Sequence, residues 1–519
     1  MSDKTKRLNA KYRSAMHKRQ PWETAYQDCY DYALPGRTSF FERNKGDDAP
    51  EIFDETAVIG TQEFASRIQA GLTPNYGRFF KLEAGVQVPA DQVEEVNKQL
   101  EETTNYIAEI INNSNFAQEA NECYLDIALG TACMDVFEGD AVHPVIFSAV
   151  PLPELAIDTG PRDEIDTYFR TRHMRISHID KAYPGAKVPT DLMQRIGKTS
   201  GNKEDYDPVV RVVLTVYRDH EIKNEEMNVA CLFLPDFPDY DPMLEQTFKG
   251  LGSNRFIGFR WSKAAGEAWG RGPLFNSMPA VRVANLVKQM ILENAEMSIA
   301  GIYTAEDDGV LSIDNIRLLP GTVIPKAPGS DGLQPVQAAG NFDVSQITLQ
   351  ELRADIRKAL YNETLGSPDR TPMSATEVAQ RMADLSRQIG SAFGRLQVEF
   401  VNRVIVRVAY ILQKQGRIEL PVINGRQIKI LSTSPLSQAQ AVEDINAVNN
   451  FLSMLNQQFG PQLAQMMIEQ EETAKYLRER FGVPVKLIRN KQQREQVATA
   501  IAQMSGEQGG QPTQGAPAV

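Results

Sequence analysis

Cysteine is scarce in this chain. Cys29, Cys123, Cys133 and Cys231 are the four in 519 residues, and no two stand at CxxC or CxxxxC spacing. That spacing excludes a zinc module or a disulfide scaffold and points to reduced thiols and a cytosolic folding environment. Histidine is nearly as rare. Of the five, His173 and His178 are five apart, off a common helix face, and no HExxH occurs; the other three are His17, His143 and His220. GxSxG is missing. "GRGPLF" at 270–275 has half the look of a phosphate loop, but it lacks the third glycine and the Lys-Ser/Thr pair and reads as a turn from strand to helix. The acidic clusters Asp47-Asp48, Asp307-Asp308 and Glu469-Glu471-Glu472 fall in polar loops or on polar helix faces, where solvation explains them. No catalytic residue, metal ligand or cofactor site is expected.

Long apolar runs are absent too. The richest, "VIVRVAYIL" at 404–412, is short and interrupted by Arg407, so no membrane insertion is expected. An excess of positive charge is also missing: 55 Lys and Arg face 67 Asp and Glu, for a net charge of −12. A static grip on nucleic acid by the whole chain is disfavoured, while an acidic surface past which DNA slides stays open. The start, "MSDKTKRLNAKYRSAMHKRQ", is basic but has no apolar centre, so it is not a secretory signal. Leu8, Tyr12, Ala15 and Met16 have helical spacing, and the segment reads as an amphipathic surface helix rather than a transit peptide or nucleic-acid arm.

What the chain does contain is helix, then strand, then helix. Pro21 opens a second predicted helix, "PWETAYQDCYDYAL", ended by Pro35-Gly36. Others follow near 55–70 and over "DQVEEVNKQLEETTNYIAEIINNSNF" and "AQEANECYLDIALGTA", the last two joined at Asn112–Asn115. From about 133 to 261 the period changes to short Val-, Ile-, Phe- and Tyr-rich runs, with small helices near 177–183 and 190–196. A helix over 272–300 carries an apolar face through Val283, Leu286, Val287, Met290 and Met297. Turns fill 301–343, a helix spans 344–366, "IELPVINGRQIKIL" reads as a hairpin turning at Asn424-Gly425, and helices near 436–458, 461–481 and 484–504 precede a low-complexity tail that reads as disordered.

The longest pattern begins at Ser374 and Glu377, a capping box. Val378, Met382, Leu385, Ile389, Phe393, Leu396, Phe400, Val404, Val408 and Ile411 then recur at three- or four-residue steps until Gly416. Roughly forty residues at 1.5 Å each make a rod of about 60 Å. Gly390 and Gly394 interrupt it and mark either a kink or close packing.

Four segments, in order, resemble the portal protein or head-to-tail connector of podovirus-type bacteriophages: "IFDETAVIGTQEFASRIQAGLTPNYGRFFKLEAG", "SNFAQEANECYLDIALGTACMDVFEGD", "RWSKAAGEAWGRGPLFNSMPAVRVANLVKQM" and "TPMSATEVAQRMADLSRQIGSAFGRLQVEFVNRVIVRVAYILQKQG". The resemblance implies an α+β, portal-type fold with long helices. Its parts would be a wing over 1–265, helical first and β-rich over 133–261, and a first stem helix within 266–300. A clip over 301–343, a second stem helix over 344–366 and a tunnel loop over 367–373 would follow. The long wing helix and hairpin would fill 374–433, the crown 434–504 and a disordered tail 505–519. It further implies a homo-oligomeric ring of about twelve copies at one capsid vertex. That ring would be a conduit for double-stranded DNA in packaging and ejection. Its other partners would be a terminase, a tail adaptor protein and a major capsid or scaffolding protein. Assembly would occur in the bacterial host cytoplasm, and the ring would remain in the virion. Asp369, Arg370 and Thr371 would face DNA from the tunnel loop, and Ile316, Leu318, Leu319, Val323 and Ile324 would bind the adaptor from the clip. The implied protein is not an enzyme and needs no cofactor. The competing readings are a metal-dependent DNA-processing enzyme that uses the acidic clusters, and a helical scaffold without a DNA role.

Overall fold

The computed structural model describes residues 3–41, 50–89, 92–194, 196, 207–220, 226–300, 303–304, 334–335, 342–362, 388–420, 427–469, 472–474 and 476–477. It is a mixed helical and sheet structure. Helices α1 (Asp3–Ala33) and α2 (Thr56–Leu72) come first, then strand β1 (Phe80–Ala84) and helices α3 (Val93–Asn112) and α4 (Phe116–Ile127). Strands β2 (Thr131–Glu138), β3 (Val145–Ala149), β4 (Leu155–Thr159) and β5 (Ile165–Arg175) follow, then short helices α5 (Ile176–Ala182) and α6 (Thr190–Met193). Next are β6 (Val209–Arg218), β7 (Met227–Phe233), β8 (Leu244–Lys249) and β9 (Phe256–Arg260).

The five strands β4 to β8 form an antiparallel meander in sequence order, and β3-β2-β9 form a second antiparallel sheet. Period-two alternation gives the meander two buried faces. Phe169, Val213, Val229, Cys231 and Phe233 pack with Leu8, Tyr12 and Ala15 of α1. Tyr168, Val212, Leu214 and Leu232 point the other way, into the main core. The α1 helix is therefore an amphipathic cover, as its spacing predicts.

The expected break at Pro21 is not there: α1 runs through it as one helix of 31 residues. Pro21 sits on the exposed side, where the carbonyl that loses its backbone donor is not shut away from solvent. Both flanks are meanwhile held by tertiary contacts. Arg19 donates to the carbonyls of Pro153 and Leu155 at 2.8 Å each, and Tyr26 and Tyr30 are buried in the core. The predicted hairpin at Asn424-Gly425 is also corrected. Strand β12 (Ile428–Ser432) pairs antiparallel with β1, Phe80 opposite Ser432, rather than with residues 418–420, which are coil. Strands β1 and β8 were not expected. Strand β1 alternates but is only five residues long, and β8 is polar through its middle, so neither stands out.

Helices α7 (Pro273–Ala300) and α8 (Phe342–Ala359) pack against each other, and the two-residue strands β10 (Tyr303–Thr304) and β11 (Gln334–Pro335) pair antiparallel. The described part of the rod is α9 (Gly390–Leu396), a π-helical turn (Gln397–Val401) and α10 (Asn402–Lys414). A Cβ built on Gly390 or Gly394 meets nothing within 4 Å, so neither packs closely within the chain; the helix restarts at Gly390. The last long helix, α11 (Pro435–Met467), is two segments joined at Gly460, whose φ of 76° breaks it. The expected helix at 484–504 and the tail lie outside the described residues.

The rod is keyed into the sheets. Val404, Ile405, Val408 and Ile411 are fully buried, and Phe400 stacks on Phe259 with ring centroids 4.2 Å apart. The π-helical turn presents Glu399 to the buried Arg260, whose Nη2 donates at 2.8 Å and whose backbone N–H donates at 3.0 Å. Arg407 is buried as well. It donates to the carbonyls of Val136 at 3.0 Å, Gly252 at 3.0 Å and Ser253 at 3.1 Å, and burial together with nearby Arg255 pulls its pKa down to about 10. Glu399→Ala leaves a buried guanidinium without its counter-ion and is expected to cost about 3–5 kcal/mol. Lys414→Ala removes an exposed pair with Glu138 and is expected to cost less than about 1 kcal/mol. Denaturant titration of the two variants measures the contrast.

Candidate functional site

The site is built around the α7–α8 pair, which starts in the core and ends outside it. Its root is the glycine-rich turn. Gly272 donates its N–H to Leu129 O at 2.8 Å, Leu274 donates to Ala128 O at 3.0 Å, and Gly270 donates to Thr131 Oγ1 at 2.8 Å. Tyr26 donates its hydroxyl to Gly270 O at 2.6 Å. Two backbones cross here without room for a side chain: a Cβ on Gly272 would lie 2.0 Å from Ala128 O, and one on Gly130 (φ +139°) 2.3 Å from Gly270 O. The first amides of α7 are spent on protein acceptors, so the turn is a backbone crossing and not a phosphate cradle.

A second tie holds the pair to residues 53–67. Asn285 of α7 accepts from the N–H of Phe53 at 2.7 Å and of Asp54 at 3.1 Å. Asp54 accepts from Arg353 of α8 at 2.8 and 2.7 Å. At the end of α8, Arg67 donates to Tyr361 O at 2.7 Å and Asn362 donates to Gly60 O at 2.9 Å. Burial pushes the Asp54 carboxyl up, but hydrogen bonds from Thr56 and Arg353 outweigh it and hold the group below its ordinary 3.8.

Past this root the helices emerge. Leu274, Met278, Val281 and Ala284 are buried, whereas Val283, Leu286 and Met290, three residues at i, i+3 and i+7, are 46, 49 and 55% exposed. Ile347 of α8 is exposed as well. In α11, Phe451 and Met454 are exposed at i, i+3 spacing and Phe459 lies a turn beyond. An apolar stripe left open on a helix marks an interaction surface.

The chemistry elsewhere is paired. A cavity of about 220 Å³ lies where β5, the turn before β9 and α10 meet. There Arg218 bridges Glu164 at 3.5 Å and Glu226 at 3.3 Å, and burial raises the Glu226 carboxyl against the pull of Arg218. His220 hydrogen-bonds Asp166 at 2.6 Å. Among the described residues, no three His, Cys, Asp or Glu side chains converge as a metal-ligand set, and no helix is long and apolar enough to cross a membrane.

Asp369, Arg370 and Thr371, and also Ile316, Leu318, Leu319, Val323 and Ile324, lie outside the described residues. The tie through Asp54, Asn285 and Arg353 was not visible in the sequence, because its members are up to 299 residues apart and carry no motif. The apolar face of α7 was visible.

A family model described as bacteriophage head to tail connecting protein matches residues 5–488. No curated protein matches the chain. Among solved structures, the chain is similar to one from a virion of a native gene transfer agent particle. The TM-score there is 0.36 and identity 10%, over 76% of this chain and 85% of that one. It is also similar to a chain from the neck of an empty gene transfer agent particle, at TM-score 0.36 and 11% identity, over 83% and 90%.

The Asp54 tie has a pH signature. Its folded pKa is depressed, so the stability it contributes is present in full above its unfolded value and is lost as pH falls through the folded one. Asp54→Asn is expected to cost about 1–3 kcal/mol at pH 7. The gap from the parent should close as pH drops below 3.8, measured by thermal melting across a pH series.

Proposed function

The chain belongs to the bacteriophage head to tail connecting protein family, a family of structural virion components, and it works at the junction of capsid and tail; from that premise we propose how it does so. Copies of the chain close into a ring of the podovirus portal type, about twelve in number, at one vertex of the capsid. The observation that carries this reading is the open apolar stripe of α7, Val283, Leu286 and Met290, on helices rooted in the core and unpartnered in the single chain. A second copy covers it.

In this reading α7 and α8 form the stem and residues 301–343 the clip. The rod belongs to the wing, and α11 starts the crown. Double-stranded DNA passes through the ring during packaging and ejection. Asp369, Arg370 and Thr371 face it, the cation and the anion side by side, so that phosphates are touched without being clamped. The net charge of −12 supports transit over retention. Ile316, Leu318, Leu319, Val323 and Ile324 dock the tail adaptor, and terminase, capsid and scaffolding proteins are the other partners.

Native mass spectrometry and electron microscopy of the purified chain test the reading. A single closed species of about twelve copies is expected; monomers or dimers at every concentration contradict it. Leu286→Glu with Met290→Glu should abolish that species and leave the melting of the unassembled chain unchanged, because both side chains are exposed there. Arg370→Glu should assemble normally and give particles with less DNA; normal DNA content removes the role given to this loop.

A further inference from the structure

The first helix carries a charge that the ring reading leaves unused. Between Lys4 and Trp22 there are seven basic residues and no acidic one, in a chain of net charge −12. The fold turns this segment into a surface. Leu8, Tyr12, Ala15 and Arg19 are buried, and opposite them on the helix Ala10, Ser14 and His17 are exposed. Small residues thus form the outer ridge. Two basic rows run at heptad intervals: Lys6 and Arg13 beside this ridge, and Lys4, Lys11 and Lys18 farther round, at the border with the sheet, where Lys11 lies over the Tyr217 ring. Several of these cations have partners within the chain, Lys4 with Glu245, Lys6 with Asp239 and Lys18 with Asp158. These pairs are solvent-exposed and individually weak, so they yield readily to a stronger field.

The complement lies on another helix of the same molecule. Helix α3 buries Leu100, Thr104, Ile107 and Ile111. Its opposite face carries Glu95, Glu102 and Glu109, all exposed and again seven residues apart, with the single cation Lys98 beside them. Three charges at that interval span about 21 Å of helix, the same length as Lys4 to Lys18. The first half of α1 covers one face of the five-stranded sheet, whereas α3 packs on β1, α4 and the rod, so the two charged faces belong to different surfaces.

We infer that the basic outer face of α1 in one copy docks on the acidic outer face of α3 in the next copy around the ring. The inference rests on the ring reading and deepens it by naming a contact. A head-to-tail ring joins two different surfaces of each subunit, which is what opposite charge on two separate helices supplies; a two-fold interface would bring each face against itself, like against like. The Ala10–Ser14 ridge allows close helix approach, and the matched heptad spacing lets several pairs form at once. A nucleic-acid backbone would also suit a row of cations, but it would not engage the glutamate row of α3.

The test is charge reversal and rescue in the full chain, with assembly followed by sedimentation over a concentration series. Lys6→Glu with Arg13→Glu, and separately Glu95→Lys with Glu102→Lys, should each raise the half-assembly concentration about tenfold or more. The four substitutions together should bring it back to within about threefold of the parent. Thermal melting of the unassembled variants serves as the folding control. The inference is overturned if both double variants assemble like the parent, or if only the α1 variant is impaired. It is also overturned if the fourfold variant is no better than either double variant, or if the α1 variant loses binding to a short DNA duplex while assembling normally. A parent chain that never assembles contradicts the ring reading itself, before any variant is made.

Discussion

The ion pair between Arg260 and Glu399 is the interaction on which the rest of the structure depends. Arg260 ends β9 and is almost wholly buried, so its charge needs a partner that is itself fixed. The rod supplies it through a π-helical turn, an irregularity that aims one carboxylate at both the side chain and the backbone N–H of Arg260. Around this pair Phe400 stacks on Phe259 and also meets Phe116 and Tyr124 of α4. One residue of the rod therefore touches a strand and a helix from two other parts of the chain. Arg407, two turns later, repeats the device with carbonyls in place of a carboxylate. The result is a stiff block of rod, sheets and α4.

Stiffness there gives the α7–α8 pair a base. The glycine crossing at 130, 270 and 272 grafts α7 onto the α4–β2 corner, and Arg260 donates to Ala268 O in the same segment. The chain thus passes within a few residues from the strand that grips the rod to the helix that leaves the core. A protein at the junction of capsid and tail must carry load between them, and this continuity gives the helices that leave the core a rigid base.

Much of the fold could be read from the chain, for reasons that lie in particular residues. The apolar period of α3, the Asn112–Asn115 junction and the alternation of β5, β6 and β7 are local, and the structure follows them. Pro21 misled because its solvent-side position is a tertiary fact. Asn424-Gly425 misled because a turn signal says nothing of which strand takes the next edge, and β1, over three hundred residues earlier, takes it. The apolar face of α7 was legible, but that it stays open was not, since burial depends on where the helix leaves the core. Glu399 and Arg260 are 139 residues apart and ordinary in composition, so their pairing could not be read from spacing. The segments that the resemblance singles out, 316–324 and 369–371, rest on that resemblance and on family membership.

The most direct measurement of this account is amide hydrogen exchange along the rod. If Arg260, Glu399, Arg407 and Phe400 lock it to the sheets, the amides of 400–412 exchange as slowly as those of β2 and β9 and open together with them in one unit. A rod that exchanges faster than these strands, or that opens independently of them, contradicts it.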